Sequence, residues 1–172
     1  KIEDRIGRRL KIVSGGATSS LPLLLDGSLP EGVTNLRVGE GVLTARDLPS
    51  LWGVEVPGVE PGVFTLRAEE VESRRKPSYP VGEIFLDAFG ERPEYTDRGV
   101  RGRALLAVGK QDFGKHESLV PLESGVRILG SSSDHLICDV QDCPRALKPG
   151  DILEFGLFYP AMIYLTRSPE VR

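Results

Sequence analysis

Metal ligands and aromatic rings are scarce in this chain, which has 2 histidines, 2 cysteines, 1 tryptophan, 4 tyrosines and 6 phenylalanines. His116, His135, Cys138 and Cys143 have no second pair and no ligand spacing, so a zinc site is excluded as the organising element. Two isolated cysteines read as free thiols, the state expected in a reducing, cytoplasmic setting. A long hydrophobic run is also missing. The longest, residues 155–165, is broken by Pro160 and falls well short of the ~20 residues that cross a bilayer, so no membrane partner is expected. There is no excess of positive charge: the net charge is -3 and the pI is near 5.5, which leaves no electrostatic footprint for nucleic acid. No signal-peptide pattern is visible, and a start at Lys1 without methionine is read as a processed or trimmed chain.

What is abundant is turn chemistry, with 20 glycines and 13 prolines spread among 40% apolar and 27% charged residues. That balance describes a globular chain of many short strands and turns. Its 172 residues suffice for one domain or one and a half.

The first third reads as α/β. Ile2, Ile6 and Leu10 are spaced four apart, as on the tail of an amphipathic helix over residues 2–10. Residues 11–14 read as a short buried strand, followed by the small-residue loop Gly15-Gly16-Ala17-Thr18-Ser19-Ser20 and a helix over residues 20–25 with Pro22 in its first turn. A loop of small residues between a strand and a helix is where phosphate tends to sit, although an ordinary Ser/Thr cap is the more common reason for such a loop in isolation. The next stretch, residues 35–43, reads as a buried strand that carries Arg37 at its end and then loses its side chains at Gly39 and Gly41. Arg37 suits holding an anion or donating to an acceptor, and the amides after Gly39 are free to meet phosphate oxygens. The alternative is a solvated arginine followed by bulge glycines. Strand, loop, helix, strand is a βαβ unit, and one such unit leaves edges and faces uncovered, so further strands are expected upstream.

After Leu48 the prolines at 49, 57 and 61 mark a connection. Short β patterns then recur at residues 63–72, 83–88, 103–108, 126–129, 136–140, 152–158 and 163–166, with a turn signal at Lys148-Pro149-Gly150-Asp151. The expectation is an all-β, barrel-like domain.

The stretch Arg127-Ile128-Leu129-Gly130-Ser131-Ser132-Ser133-Asp134-His135-Leu136-Ile137-Cys138-Asp139-Val140, followed by Lys148-Pro149-Gly150-Asp151-Ile152-Leu153, resembles the C-terminal β-domain of pyridoxal-phosphate-dependent amino-acid racemases of the alanine racemase type (fold type III), closest to the ornithine racemase branch. The resemblance extends to Ser14-Gly15-Gly16-Ala17-Thr18-Ser19-Ser20, Leu36-Arg37-Val38-Gly39-Glu40, Lys76-Pro77-Ser78-Tyr79-Pro80-Val81-Gly82-Glu83, Asp87-Ala88-Phe89-Gly90, Gly109-Lys110-Gln111-Asp112 and residues 159–172. These motifs occur in the family's order over nearly the whole chain.

The resemblance implies that residues 1–48 end a (β/α)8 TIM barrel whose N-terminal part lies on a segment not in this sequence, and that residues 49–172 form the β-domain. It implies pyridoxal 5'-phosphate as cofactor. Arg37 would face the pyridine nitrogen and keep it unprotonated, a weak electron sink that suits racemisation. Ser19, the amides of Gly39 and Glu40, and Tyr159 would hold the phosphate, while Ser133 and Asp134 would lie near the substrate carboxylate across a homodimer interface. The substrate is a free amino acid of the alanine, ornithine or lysine type, racemised by proton abstraction at Cα. Two departures stand out. The lysine that carries the cofactor in this family belongs to the missing barrel segment, and Lys110 occupies the place of a tyrosine that serves as one of two general acid/bases. Lys110 is a base only if its amine is neutral at working pH; otherwise it is a carboxylate-binding cation or a loop-end lysine. Asp112 either orients Lys110 or forms a turn, and His135 reads as a packed or surface residue. The alternative to a racemase is a divergent, non-catalytic module that keeps the fold and perhaps the cofactor.

Overall fold

A computed structural model of the chain describes residues 1–172 except 84, 87–89, 91 and 93. It contains two compact units, Lys1–Val63 and Phe64–Arg172. Among the described residues no helix is long and apolar enough to cross a membrane.

In the first unit, α1 (Ile2–Ile6) stops short of Leu10. Gly7 takes the left-handed conformation (φ 66°) and donates its N–H to the Glu3 carbonyl, and the Glu3 carboxylate then accepts the Leu10 N–H at 2.7 Å. The expected βαβ unit is present only in outline: among the described residues one isolated parallel bridge stands for its two strands, and residues 11–14, expected as a short buried strand, are exposed. Residues 13–16 and 34–37 run parallel, bridged at Ser14 and Asn35, with Thr34 N–H to Val13 O and Gly15 N–H to Asn35 O at 3.0 Å and Arg37 N–H to Gly16 O at 3.3 Å. Between them lies α2 (Leu21–Leu25), with Pro22 in its first turn. The buried strand expected over residues 35–43 is reduced to the bridge at Asn35, with Asn35, Arg37 and Gly39 exposed, and α3 (Glu40–Leu43) begins after Gly39. The Glu40 carbonyl takes the N–H groups of Thr44 and Ala45 at 2.9 Å, and its carboxylate takes the Thr44 hydroxyl at 2.8 Å. These bonds fold the chain into a turn, so Val42 points outward at 72% exposure. A further short helix, α4 (Asp47–Leu51), buries Leu48. Apolar side chains at Ile12, Leu24, Val42, Leu51 and Trp52 are exposed, so this unit buries little of its hydrophobic surface.

The second unit is a nearly closed, six-stranded antiparallel barrel in the order β3-β6-β1-β2-β5-β4. Its strands are β1 (Thr65–Pro77), β2 (Val100–Leu106), β3 (Leu119–Pro121), β4 (Arg127–Ser131), β5 (Leu136–Asp139) and β6 (Ile152–Leu157). Alternation builds it: along β1, Leu66, Ala68 and Glu70 point inward while their neighbours face water. A bulge between Glu70 and Glu72 bends β1, so that its first half pairs with β6 and its second half with β2. Edge strands β3 and β4 approach through His116, in the 3-10 turn ahead of β3, whose Nδ1 lies 3.1 Å from Ser131 Oγ. Phe113, Phe155, Leu106, Leu136 and Leu153 are fully buried, each worth about 1.5–3 kcal/mol of burial.

Two short helices cover the core: α5 (Lys110–Phe113) and α6 (Tyr159–Leu165). Residues 163–166 were expected as a strand and belong largely to α6. Phe158 is the extended residue before it, Pro160 sits in the first turn, and Ala161 and Leu165, four apart, are buried. The β pattern at 83–88 lies partly outside the described residues, as does Asp87-Ala88-Phe89-Gly90, and residues 83, 85 and 86 carry no strand. The turn at 148–151 is present, with Asp151 N–H on Lys148 O and Lys148 N–H on the Asp151 carboxylate, both 3.0 Å.

Candidate functional site

Each unit carries its own group of the residues singled out in the sequence. In the first unit the small-residue loop is needed for space. Gly16 has φ 75°, and a Cβ there would lie 2.1 Å from Ser20 Oγ. The loop is pinned to the start of α3 by a buried hydrogen bond, Gly41 N–H to Thr18 Oγ1 at 2.9 Å. A Cβ on Gly41 would meet Thr18 Cγ2 at 2.9 Å and Val38 Cγ1 at 3.0 Å, so the contact depends on glycine. Ser19, next to Thr18, keeps its hydroxyl in the open. The Gly39 and Glu40 N–H groups stand at the start of α3, with no acceptor among the described residues.

The Glu40 side chain turns away from this face. It is 9% exposed, and its Oε1 accepts the Thr44 hydroxyl and, at 3.3 Å, the Asp47 N–H. Burial, and secondarily the Glu40 charge, push the Asp47 carboxyl above the usual carboxylate range. Glu40 therefore offers an amide, not a charge, to a ligand beside Ser19. Arg37 is exposed and oriented by Ser14: its Nη1 donates to Ser14 Oγ at 2.9 Å, and Asn35 Nδ2 donates to the same oxygen at 3.0 Å. Sequence reasoning missed the pinning by Thr18 and the orientation by Ser14.

In the second unit Lys110 opens α5, and Gly109 caps it with its N–H donated to Asp112 Oδ2 at 2.9 Å. Lys110 N–H bonds Ser132 O at 2.9 Å and Gln111 N–H bonds Ser133 O at 3.1 Å, so the β4–β5 turn lies against the start of α5. Only glycine fits at 109, since a Cβ would be 2.0 Å from Ser133 O and 2.4 Å from Asp134 N. Lys110, Ser133 and Asp134 are thus brought together by backbone contacts, with Ser133 and Asp134 exposed and Lys110 half-buried. Lys110 and Ser133 line a cleft of about 460 Å³ with His116 and Lys115, and sequence reasoning gave His116 no part.

Asp112 takes the turn-forming alternative. It is 4% exposed, and its Oδ1 accepts the Ser168 hydroxyl at 2.6 Å, tying α5 to the residue beyond α6. Tyr159 is half-buried at the first position of α6, which packs on α5. His135 is exposed, and its N–H bonds Ser132 Oγ at 3.0 Å. No group of His, Cys, Asp and Glu among the described residues could hold a metal.

A parallel strand pairing in the first unit and a nearly closed antiparallel barrel in the second each carry such a group. The chain is 49% identical over 154 residues to ornithine racemase from Acetoanaerobium sticklandii, covering 90% of this chain and 43% of that protein. To lysine racemase from Thermotoga maritima it is 37% identical over 171 residues, covering 99% of this chain and 47% of that protein. No family model matches the chain. Two solved structures share its fold at 19% identity. D-threonine aldolase from Filomicrobium marinum has a TM-score of 0.56 over 92% of this chain and 36% of that one. Alanine racemase from Bartonella henselae, with covalently bound pyridoxal phosphate, has a TM-score of 0.51 over 87% of this chain and 39% of that one. The chain is of the alanine racemase type, and it spans about half the length of the curated relatives it matches.

Proposed function

We propose that this chain is part of a pyridoxal-phosphate-dependent amino-acid racemase that interconverts the L and D forms of a free amino acid of the ornithine, lysine or alanine type. The observation that carries this reading is the 49% identity to an ornithine racemase across 90% of the chain. The residues present fit the cofactor. The Ser19 hydroxyl and the acceptor-free N–H groups of Gly39 and Glu40 suit a phosphate, on loops held together by the Thr18–Gly41 bond, and the Glu40 carboxylate is folded out of the way. Tyr159 would add a hydroxyl to the phosphate, and Arg37, oriented by Ser14, would meet the pyridine nitrogen. When bound, pyridoxal phosphate supplies an electron sink for the carbanion at Cα.

The chain's own residues would supply the proton chemistry. Lys110 Nζ takes the Cα proton as a neutral amine or returns it as an ammonium, and Ser133 and Asp134, held against α5 through Gly109, orient the substrate carboxylate. Completion of the site requires the rest of the (β/α)8 barrel, with its cofactor-bearing lysine, and a homodimer in which the β-domain (residues 49–172) reaches the partner's barrel, whose end is residues 1–48. A second reading, a cofactor-binding module without racemisation, is favoured by one observation: Lys110 stands where the family resemblance places a tyrosine.

The test is Lys110→Ala in the full-length protein, followed by deuterium exchange at Cα of each enantiomer in heavy water. The expected result is a loss of about 10²–10⁴-fold in exchange from one enantiomer, with the visible absorption of the cofactor retained. Undiminished exchange from both enantiomers removes Lys110 from the mechanism. A coloured wild-type protein that exchanges neither enantiomer establishes the second reading.

A further inference from the structure

We infer that the β-domain carries a binding site for a small multivalent oxyanion, a phosphate ester or a dicarboxylate, in the cationic cleft between β2, β4 and the 3-10 turn before β3. The cleft measures about 520 Å³, within the usual ~300–1,000 Å³ of small-ligand sites. Its described lining includes five arginines, at 92, 98, 101, 103 and 127, besides Lys110, against two carboxylates, Glu94 and Asp139. The chain as a whole has a net charge of -3, so this concentration of positive charge in one concavity is a local feature and not a reflection of composition. A cleft lined by one sign of charge focuses the field and concentrates counter-ions inside it.

The site is built, not a chance meeting of surface side chains. Asp139, on β5, is 3% exposed. Its Oδ2 accepts Arg101 Nε at 2.5 Å and Arg127 Nη2 at 3.3 Å, while its Oδ1 accepts the Gln141 N–H at 3.1 Å. One buried carboxylate therefore fixes two guanidinium groups, and it can neutralise only one. Asp142 takes the far end of Arg101 but is itself 68% exposed and in contact with water. Arg103 Nη2 donates to two backbone carbonyls, Pro77 O at 2.9 Å and Ser78 O at 3.1 Å, which fix its direction, and neither of these acceptors carries a charge. Arg127 is 46% exposed, with Nε and Nη1 unused by any described acceptor. A planar fork of this kind matches the oxygen pairs of phosphate and carboxylate. Ile128 and Ile137 give the wall an apolar stretch, beside which charge attraction is screened less than in bulk water.

This site stands on the cleft alone and holds whether or not the protein racemises. The experiment is calorimetric titration of the full-length protein, as purified, with inorganic phosphate and with malonate, at low and high sodium chloride. Saturable binding of either probe, weakened by salt, is expected. Binding of phosphate only assigns a phosphate ester, and binding of malonate only assigns a dicarboxylate. Arg127→Gln should weaken binding about tenfold or more, and Arg127→Lys, which keeps the charge without the fork, should retain part of it. Position 127 is half in solvent, so both variants should keep the fold, which circular dichroism checks. The absence of saturable binding for both probes up to millimolar concentration overturns the inference, as does binding that Arg127→Gln leaves unchanged.

Discussion

Glu70 should make the stability of this protein fall as pH rises, and its replacement by glutamine should remove that dependence. The side chain is 0% exposed on the inner face of β1, and among the described residues neither carboxylate oxygen has a well-formed hydrogen bond, the nearby Ser73 hydroxyl donating to Leu147 O at 3.4 Å instead. It has no easy exit, because Glu70 N–H is bonded to Asp151 O and Gly150 N–H to Glu70 O, each at 2.8 Å. Burial pushes its carboxyl above the ordinary value of 4.5; the Ser73 hydroxyl and the Arg145 charge oppose this, and the Asp151 charge adds to it. A group raised in the folded state binds its proton more readily there than in the unfolded chain. Its stabilising contribution is therefore complete below about pH 4.5 and is lost as pH rises through the folded value. At pH 8 the folded protein carries an unpaired buried charge, at a cost of roughly 1–3 kcal/mol. Glu70→Gln keeps the shape without the charge and should recover most of that. A gain of 1 kcal/mol corresponds to a rise of about 4–8 °C in Tm for a domain of this size. Thermal unfolding followed by circular dichroism between pH 4 and 8 would show the variant ahead at pH 8 and level with the wild type near pH 4. A difference independent of pH, or a less stable variant at pH 8, would refute the reasoning.

Two further predictions concern the site's supports. Asp139 is expected to behave in the opposite sense to Glu70: burial alone would raise its carboxyl, but the Arg101 and Gln141 hydrogen bonds and the Arg101 and Arg127 charges bring it below the ordinary 3.8. Its contribution is present above that pH and lost as pH falls through the folded value, so Asp139→Asn should cost about 3 kcal/mol at pH 7 in urea unfolding, a gap that closes in acid. Gly109→Ala places a methyl 2.0 Å from Ser133 O and should cost about 1–3 kcal/mol; its backbone (φ -134°) accepts alanine, so the penalty is pure contact. Because the turn must then move off α5, kcat/KM of the proposed racemisation by the full-length protein should fall about tenfold or more, measured by chiral chromatography.

The sequence foretold the barrel because half-buried strands write their pattern directly: Leu66, Ala68 and Glu70 alternate with exposed residues, and Asp151 and Gly150 announce their turn. It misled where short apolar runs have no period of their own. Ile163-Tyr164-Leu165 looks the same as strand or helix, and only the extended backbone at Phe158 and the burial of Ala161 with Leu165 decide for α6. Residues 40–43 were misread for a related reason, since the Glu40 bonds that close α3 depend on its side chain folding inward. The resemblance put Lys110 and Asp134 on the same page, but their proximity rests on Gly109 packing against a distant turn, which no spacing reveals. The cationic cleft was invisible for another reason: its arginines are scattered over β2, β4 and the segment before β2 in a chain that is acidic overall.

The most direct test of the racemase assignment is chiral chromatography of L-ornithine incubated with the full-length protein, with the visible spectrum of the same sample recorded. The account predicts a protein with the absorption of lysine-bound pyridoxal phosphate that converts the L form until the two enantiomers are equal. A colourless protein, or a coloured one that yields no D enantiomer from ornithine, lysine or alanine, would contradict it.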